Sequence, residues 1–157
     1  MPADDDIYIM RVFARRAQAP TPQAIAAHLR AKGFNVRVES DLSDNWRRVR
    51  LFNAGGRSPL DLERQSLHGD APLSDGLRAL MDATATARDR RGRQRVLDFL
   101  AQTVQVFELI VPPNFDWHAG RHLVTTELLN YLEKETDGLI EADGEGYYRR
   151  NRVLLRL

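Results

Sequence analysis

Apolar and polar positions follow the same order of patterns twice along the chain, once near each end. Residues 7 to 14 form an apolar run rich in β-branched side chains that predicts a buried strand, and residues 104 to 111 form a second one. Each run is followed by a proline-bearing loop, by a helical pattern that ends at Gly33 or Gly138, and by short alternating segments. The order predicts an α+β fold built from two βαββ half-repeats related by a pseudo-two-fold axis.

Local signals define the first helix and the hairpin after it. Thr21 is a good N-cap and Gly33 can take the left-handed conformation that ends a helix. The segments that follow alternate apolar and charged residues, which predicts an antiparallel hairpin with one buried face. A four-residue turn between them sets Glu39 opposite Arg48 and Val36 opposite Leu51.

The two hairpins also resemble each other residue by residue. The twelve residues that begin at Glu39 align without gaps on the twelve that begin at Glu141, and five positions are identical. In this alignment Trp46 falls on Tyr148. Chance similarity between short, arginine-rich hairpins is the alternative explanation, but recurrence of the whole element order favours duplication.

Residues 54–103 differ in character from both halves, because glycines and prolines give way to helical patterns. We interpret them as a helical connector within a single domain, residues 1–157. The connector joins the half-repeats 7–53 and 104–157. Ser74 or Asp75 is the predicted cap of its first helix.

In strand and helix order, the two halves resemble the paired βαβββ modules of the vicinal-oxygen-chelate type. The resemblance implies a fourth strand in the first half, for which Leu60 to Gln65 is the candidate segment. The second half is expected to end after its third strand. No histidine or glutamate set matches the metal ligands of such enzymes, so the resemblance implies architecture alone.

Composition narrows the possible partners and location. The 23 basic and 22 acidic side chains leave a net charge of +1, so no overall field attracts nucleic acid or an anionic membrane. Without cysteine there is no disulfide, thiolate nucleophile or cysteine-ligated zinc. The acidic N-terminus and the shortness of the apolar run 7–14 predict a cytoplasmic protein without membrane association.

The sequence indicates no catalytic residue, and only one weak metal-binding pattern. His118 and His122 are four residues apart at the start of the second predicted helix, and Asp116 precedes them. Such histidines can share one helix face and hold zinc. No third ligand is identifiable, so a helix N-terminus capped by Asp116 is the alternative.

A second local feature is the basic segment from Arg88 to Arg95, which can contact phosphates. It has no interleaved aromatic residue for base stacking. The alternative is an exposed, mobile junction between two connector helices.

Charged ladders on the two hairpins are the candidate binding surfaces. Arginine on a fixed β-face suits bidentate contacts with carboxylates, and an adjoining aromatic residue suits a protein interface. The alternative is that these charges form a solvent-exposed sheet face whose only role is to keep the protein in solution. Glu39 and Glu141 are expected to be ordinary ionised partners in these ladders. The predicted binding residues are Trp46, Arg48, Arg50, Tyr148, Arg150 and Arg152.

Together these patterns predict a small protein-binding or interaction module, of the adaptor or immunity-protein kind, without cofactor or evident catalytic activity. A protein partner is favoured over nucleic acid, and a homo-oligomer is compatible with the sequence. The alternatives are a metal-dependent enzyme that uses His118 and His122, and a nucleic-acid binder that uses Arg88 to Arg95.

Overall fold

The computed structural model describes residues 7–41, 44–53, 58–67, 73–113, 115 and 122–157, apart from the side chains at 122 and 123. These residues form four helices and one eight-stranded antiparallel sheet. The strands are β1 Tyr8–Ala14, β2 Val36–Ser40, β3 Arg48–Asn53, β4 Leu60–Ser66, β5 Gln105–Val111, β6 Gly138–Ala142, β7 Gly146–Arg149 and β8 Arg152–Arg156. The helices are α1 Pro22–Ala31, α2 Asp75–Ala85, α3 Arg90–Ala101 and α4 His122–Thr136.

The sheet has the strand order β2-β3-β4-β5-β1-β6-β7-β8. At its centre, β1 and β5 pair over their full lengths, from Tyr8 opposite Val111 to Ala14 opposite Gln105. On their outer sides, β1 pairs with β6 and β5 pairs with β4. The two halves of the chain are therefore interleaved, because β5 lies between β1 and the other strands of the first half.

The α+β class is confirmed, but the sheet has eight strands where two βαββ units would give six. Strand β4 forms where the vicinal-oxygen-chelate resemblance implied a fourth strand, so the predicted connector 54–103 contains a strand as well as helices α2 and α3. The second half does not end after its third strand. Arg150 and Asn151, both with positive φ, make a tight turn that separates β7 from β8.

The neighbours of the central strands do not confirm the predicted two-fold axis. An axis that exchanged β1 with β5 would give these two strands equivalent neighbours. Instead, β5 borders β4, the last strand of the first half, whereas β1 borders β6, the first strand after α4. The order of elements is nevertheless the same in both halves: strand, helix and three strands.

Helices cover the sheet on both sides. The caps of α1 are those predicted: Thr21 accepts a hydrogen bond from the backbone of Ala24, and Gly33 has a φ of 94°. Helices α1 and α4 pack on one face around Ile25 and Leu128, while α2 and α3 cover part of the other. Within the described ranges, no helix is both long and apolar enough to cross a membrane.

The β2–β3 hairpin has a longer turn than predicted, and its register differs by two residues. Glu39 lies opposite Arg50, not Arg48, and Val38 rather than Val36 lies opposite Leu51. The turn lengthens because the Trp46 side chain enters the core. The Asp41 carboxylate also accepts hydrogen bonds from the backbone N–H groups of Arg47 and Arg48. A shift of two leaves every side chain on its predicted face.

The arginine-rich segment is not the unanchored junction that was expected. Asp89 caps α3 by accepting hydrogen bonds from the backbone N–H groups of Arg91 and Gly92. Gly92 is buried against the backbone of Leu154 in β8. The segment from Arg88 to Arg95 therefore contains the first turn of a docked helix, with most of its arginines exposed.

This docking can be tested at Gly92. We expect Gly92→Ala to lower the free energy of unfolding by about 1–3 kcal/mol, because overpacking strains a close contact. Its Cβ would lie 2.5 Å from the backbone oxygen of Leu154 and equally close to Oδ2 of the capping residue Asp89. Gly76→Ala, in the first turn of α2, is the matched control, because its Cβ meets only Arg11 Nη2 at 3.4 Å. The control should gain about 0.5–1 kcal/mol from helix propensity. Urea denaturation measures both, and a Gly92→Ala protein as stable as the parent would contradict the docking.

Candidate functional site

One side of strands β2, β3 and β4 carries no helix among the described residues. Helices α1 and α4 pack on the opposite side, where Val49, Leu51 and Leu62 are buried. The apolar cluster beneath α2 and α3 takes its strand residues from the other five strands only. We call the uncovered side the open face, and its residues are Arg37, Glu39, Arg48, Arg50, Phe52, Asp61 and Glu63.

At the centre of the open face, two arginines of β3 hold Asp61 of β4. Arg50 donates from Nε and Nη2 to the two carboxylate oxygens at 2.8 and 3.3 Å, and Arg48 donates from Nη2 at 2.8 Å. Burial acts to raise the pKa of Asp61, but the hydrogen bonds from the two arginines lower it overall. The ionised carboxylate fixes both guanidinium groups, while the Arg48 and Arg50 side chains stay 50% and 42% exposed.

At the outer edge of the open face, Arg37 pairs with Glu39 of the same strand. The Arg37 guanidinium also stacks over Phe52, 4.3 Å from the ring centre. Both charged side chains are well exposed, so their ion pair contributes little to folding. This edge therefore offers a cation, an anion and an aromatic ring to a partner.

A small polar cleft of about 240 Å³ adjoins the open face beside Arg48, Glu63 and Glu108. Arg64 also lines it, with its guanidinium 5.3 Å from the centre of the Trp46 ring. Among the described residues that line this cleft there is no serine, threonine or histidine. These described side chains can bind polar groups, and none of them is a hydroxyl nucleophile or an imidazole base.

Of the six predicted binding residues, Arg48 and Arg50 lie on the open face. Trp46 does not, because its side chain is buried in the core. Its Nε1 donates to the Pro20 carbonyl at 2.8 Å, and its ring centre is 5.9 Å from that of Phe107. The expectation that Trp46 is an exposed anchor is therefore wrong.

The other three predicted binding residues are on the β7–β8 hairpin. Tyr148 is half-buried in β7, Arg150 lies in the turn, and Arg152 begins β8. Five strand spacings separate β3 from β7 in the sheet order, about 24 Å. The two predicted ladders therefore do not form one surface.

Between them lies a buried charge cluster that was not among the predicted sites. Arg11 of β1 donates from Nε to Glu108 at 3.3 Å and from Nη1 to Glu141 at 3.0 Å. Arg11 is 6% exposed and Glu141 is fully buried. The available signal was a single cation inside the apolar run 7–14, since a charge in a buried strand requires partners.

Glu141 is not the ordinary surface partner that was expected. Burial raises its pKa, and the hydrogen bond from the Gly144 N–H and the charge of Arg11 offset this only in part. Cross-strand pairing continues the row from Glu141 through Arg11, Glu108 and Glu63 to Arg48. The buried cluster is thus contiguous with the open face.

The proposed metal ligands Asp116 and His118 and the side chain of His122 lie outside the described residues, so this hypothesis stays a prediction. Within the described part of the chain, no group of three or more His, Asp or Glu side chains could hold a metal ion. His28 contacts Glu127 through Nε2 at 2.9 Å and stacks on Tyr131. It therefore joins α1 to α4.

Comparison with known proteins gives no match: no protein-family model matches the chain, and no curated protein or solved structure is significantly similar to it.

The buried cluster makes a pH-dependent prediction. Arg11→Met should lower the free energy of unfolding at pH 7 by about 3–5 kcal/mol, because it leaves a buried carboxylate without its cation. In this variant the folded-state pKa of Glu141 rises further above its unfolded value, so the destabilisation should shrink as the pH falls from 7 to 5. Urea denaturation at both values measures this.

The double variant Arg11→Met with Glu141→Gln provides the control. Without a buried charge at position 141, its stability should change less between pH 5 and pH 7 than that of Arg11→Met alone. An Arg11→Met protein whose deficit is the same at both pH values would contradict an ionised Glu141 paired with Arg11.

Proposed function

We propose that the chain is a protein-binding module that uses the open face. The observation that carries this proposal is the pair Arg48 and Arg50, which is exposed on an uncovered sheet face and held in place by Asp61. A fixed guanidinium loses little side-chain entropy on binding, so more of the favourable free energy of each contact contributes to affinity. Arginine is also among the residues that dominate the binding energy of protein interfaces.

The charge pattern of the open face favours a protein over a nucleic acid. Three arginines alternate with three carboxylates, so a phosphate backbone would meet an anion beside every cation. A protein surface can present both signs of charge, and a half-buried aromatic residue, Phe52, stands beside Arg37. The expected partner is thus a protein with a mixed-charge surface.

The ion pairs of the open face contribute little to folding stability. Opposite charges on neighbouring strands contribute about 0.2–1 kcal/mol per pair, and solvent screens exposed pairs further. Three arginines on one uncovered face therefore point to recognition by a partner.

The proposal extends to the remaining features predicted from the sequence. We propose that the protein is cytoplasmic and that it acts without catalysis and without a cofactor. Its binding partner can also be a second copy of the same chain. The recurrence of strand, helix and three strands supports an origin by duplication of one half.

The test compares two variants that remove the same charge. Arg48→Ser with Arg50→Ser should weaken binding of a partner captured by the immobilised full chain at least about tenfold, a loss of about 1.4 kcal/mol. Arg88→Ser with Arg95→Ser, which removes one exposed arginine just before α3 and one within it, should leave this affinity unchanged. Calorimetry with the purified partner measures both dissociation constants, after circular dichroism confirms folding.

Two outcomes would contradict the proposal. Equal affinity of the Arg48/Arg50 variant and the parent would remove the open face from the interface. Retention of the parent on heparin at physiological salt, lost only in the Arg88/Arg95 variant, would favour the nucleic-acid alternative.

A further inference from the structure

A polar cleft lies between the C-terminal end of α4 and the β7–β8 turn. In the strand order of the sheet, it is at the opposite end from the open face. Its volume of about 530 Å³ is in the range of small-molecule sites. Two carboxylates, Glu133 and Asp137, line it against four cationic side chains. The four are Arg16, Lys134, Arg149 and Arg150.

Some of these charges are paired within the protein. Arg149 donates to Asp137 at 2.8 Å, and the Glu133 carboxylate accepts from the backbone N–H of Arg150 at 3.3 and 3.4 Å. The side chains of Lys134 and Arg150 form no ion pair with any described residue. Neither cation therefore has an ion-pair partner among the described residues, but Arg150 is close enough to Glu133 to act on it: burial raises the pKa of Glu133, and the charges of Arg149 and Arg150 lower it in part.

The C-terminal end of α4 repels an anion less than a helix end whose carbonyl groups accept no hydrogen bonds. Arg16 donates from its side chain to the Glu135 carbonyl at 3.3 Å and from its backbone to the Thr136 carbonyl at 3.1 Å. These contacts satisfy two of the carbonyl groups that carry the negative end of the helix dipole.

The backbone around the cleft is unusual. Five non-glycine residues of the described chain have a positive φ, and three of them line the cleft: Asp137, Arg150 and Asn151. Asparagine tolerates this conformation, but arginine at a φ of 50° carries a steric cost that glycine would avoid. The tight β7–β8 turn requires a positive φ at both of its central residues, so the unusual feature is the choice of arginine at position 150.

A rigid cluster supports one wall. Asp137 bridges Arg15 and Arg149, with nitrogen–oxygen distances of 2.7 and 2.8 Å. Both guanidinium groups lie over the Phe99 ring, 4.3 and 4.9 Å from its centre. The position of Arg149 is thereby fixed before any ligand arrives.

We propose that this cleft binds a phosphate monoester through Lys134 and Arg150. A monoester carries a charge of about −1.5 to −2 at pH 7, and the described lining, with four cations against two carboxylates, has a net positive charge that matches it. The Arg150 fork suits two phosphate oxygens, and Lys134 acts as a point charge. The amides of Asn130 and Asn151 can bond the hydroxyls of the group that bears the phosphate. This site is independent of protein binding by the open face.

The test uses inorganic phosphate and glycerol 3-phosphate, each titrated into the full chain at constant ionic strength set with chloride. Isothermal calorimetry should show saturable binding at one site, and saturating ligand should raise the melting temperature. Tighter binding of glycerol 3-phosphate identifies an esterified ligand, and equal binding identifies the phosphate group alone.

Arg150→Asn is the decisive variant. It should weaken binding at least about tenfold, while the unliganded melting temperature stays the same or rises, because asparagine accepts the left-handed conformation. Lys134→Gln should weaken binding as well. Arg156→Asn removes the same charge from β8 outside the cleft and should bind like the parent.

Three results would overturn the proposal. They are no saturable binding of either ligand up to about 10 mM, an Arg150→Asn protein that binds like the parent, and an Arg156→Asn protein weakened as much as Arg150→Asn. The last result would indicate general screening of a basic surface.

Discussion

The antiparallel pairing of β1 with β5 is the constraint on which the rest of the structure depends. Each of these strands separates the other from its own half of the chain, so neither half has a continuous sheet without the other. Both strands are buried on both faces, as the full burial of Val12 and Phe107 and the near-full burial of Phe13 show. The same register places Arg11 opposite Glu108 on one side and Glu141 on the other. A charge at the sheet centre is tolerated because pairing of the backbone also pairs the ions.

Unequal helix cover explains why similar hairpins have different surfaces. Helices α2 and α3 share one face of the sheet and pack over Leu139, Tyr147 and Leu155, so that side of the second half is apolar. The corresponding side of β2–β4 has no described helix and carries alternating charges. Glu39 and Glu141 align in sequence, yet one is exposed and the other is buried. Helix placement therefore determines which side of each hairpin is a charged, exposed surface and which is part of the core.

Local signals predicted the local structure: the lead strands at 7–14 and 104–111, and the α1 caps Thr21 and Gly33. Features that depend on distant contacts were not predictable in this way. The β2–β3 register depends on Trp46 reaching the Pro20 carbonyl, and the sheet order depends on pairing between the halves. The division of β7 from β8 was hidden because its turn lacks glycine. The same holds for the candidate surface. Charge alternation in the sequence identified Arg48 and Arg50, but their exposure depends on where the helices pack, which is a tertiary property.

The interleaved sheet has a consequence for synthesis on the ribosome. The end of β5, Val111, lies 97 residues beyond the end of β1, Ala14 (111 less 14). At roughly 5–20 residues per second, the apolar first strand waits about 5–20 s for its central partner to be made. Throughout that interval β1 has neither of its two sheet neighbours, since β6 is made later still. The sheet order therefore leaves an apolar strand unpaired, and so prone to aggregation, until β5 has been made.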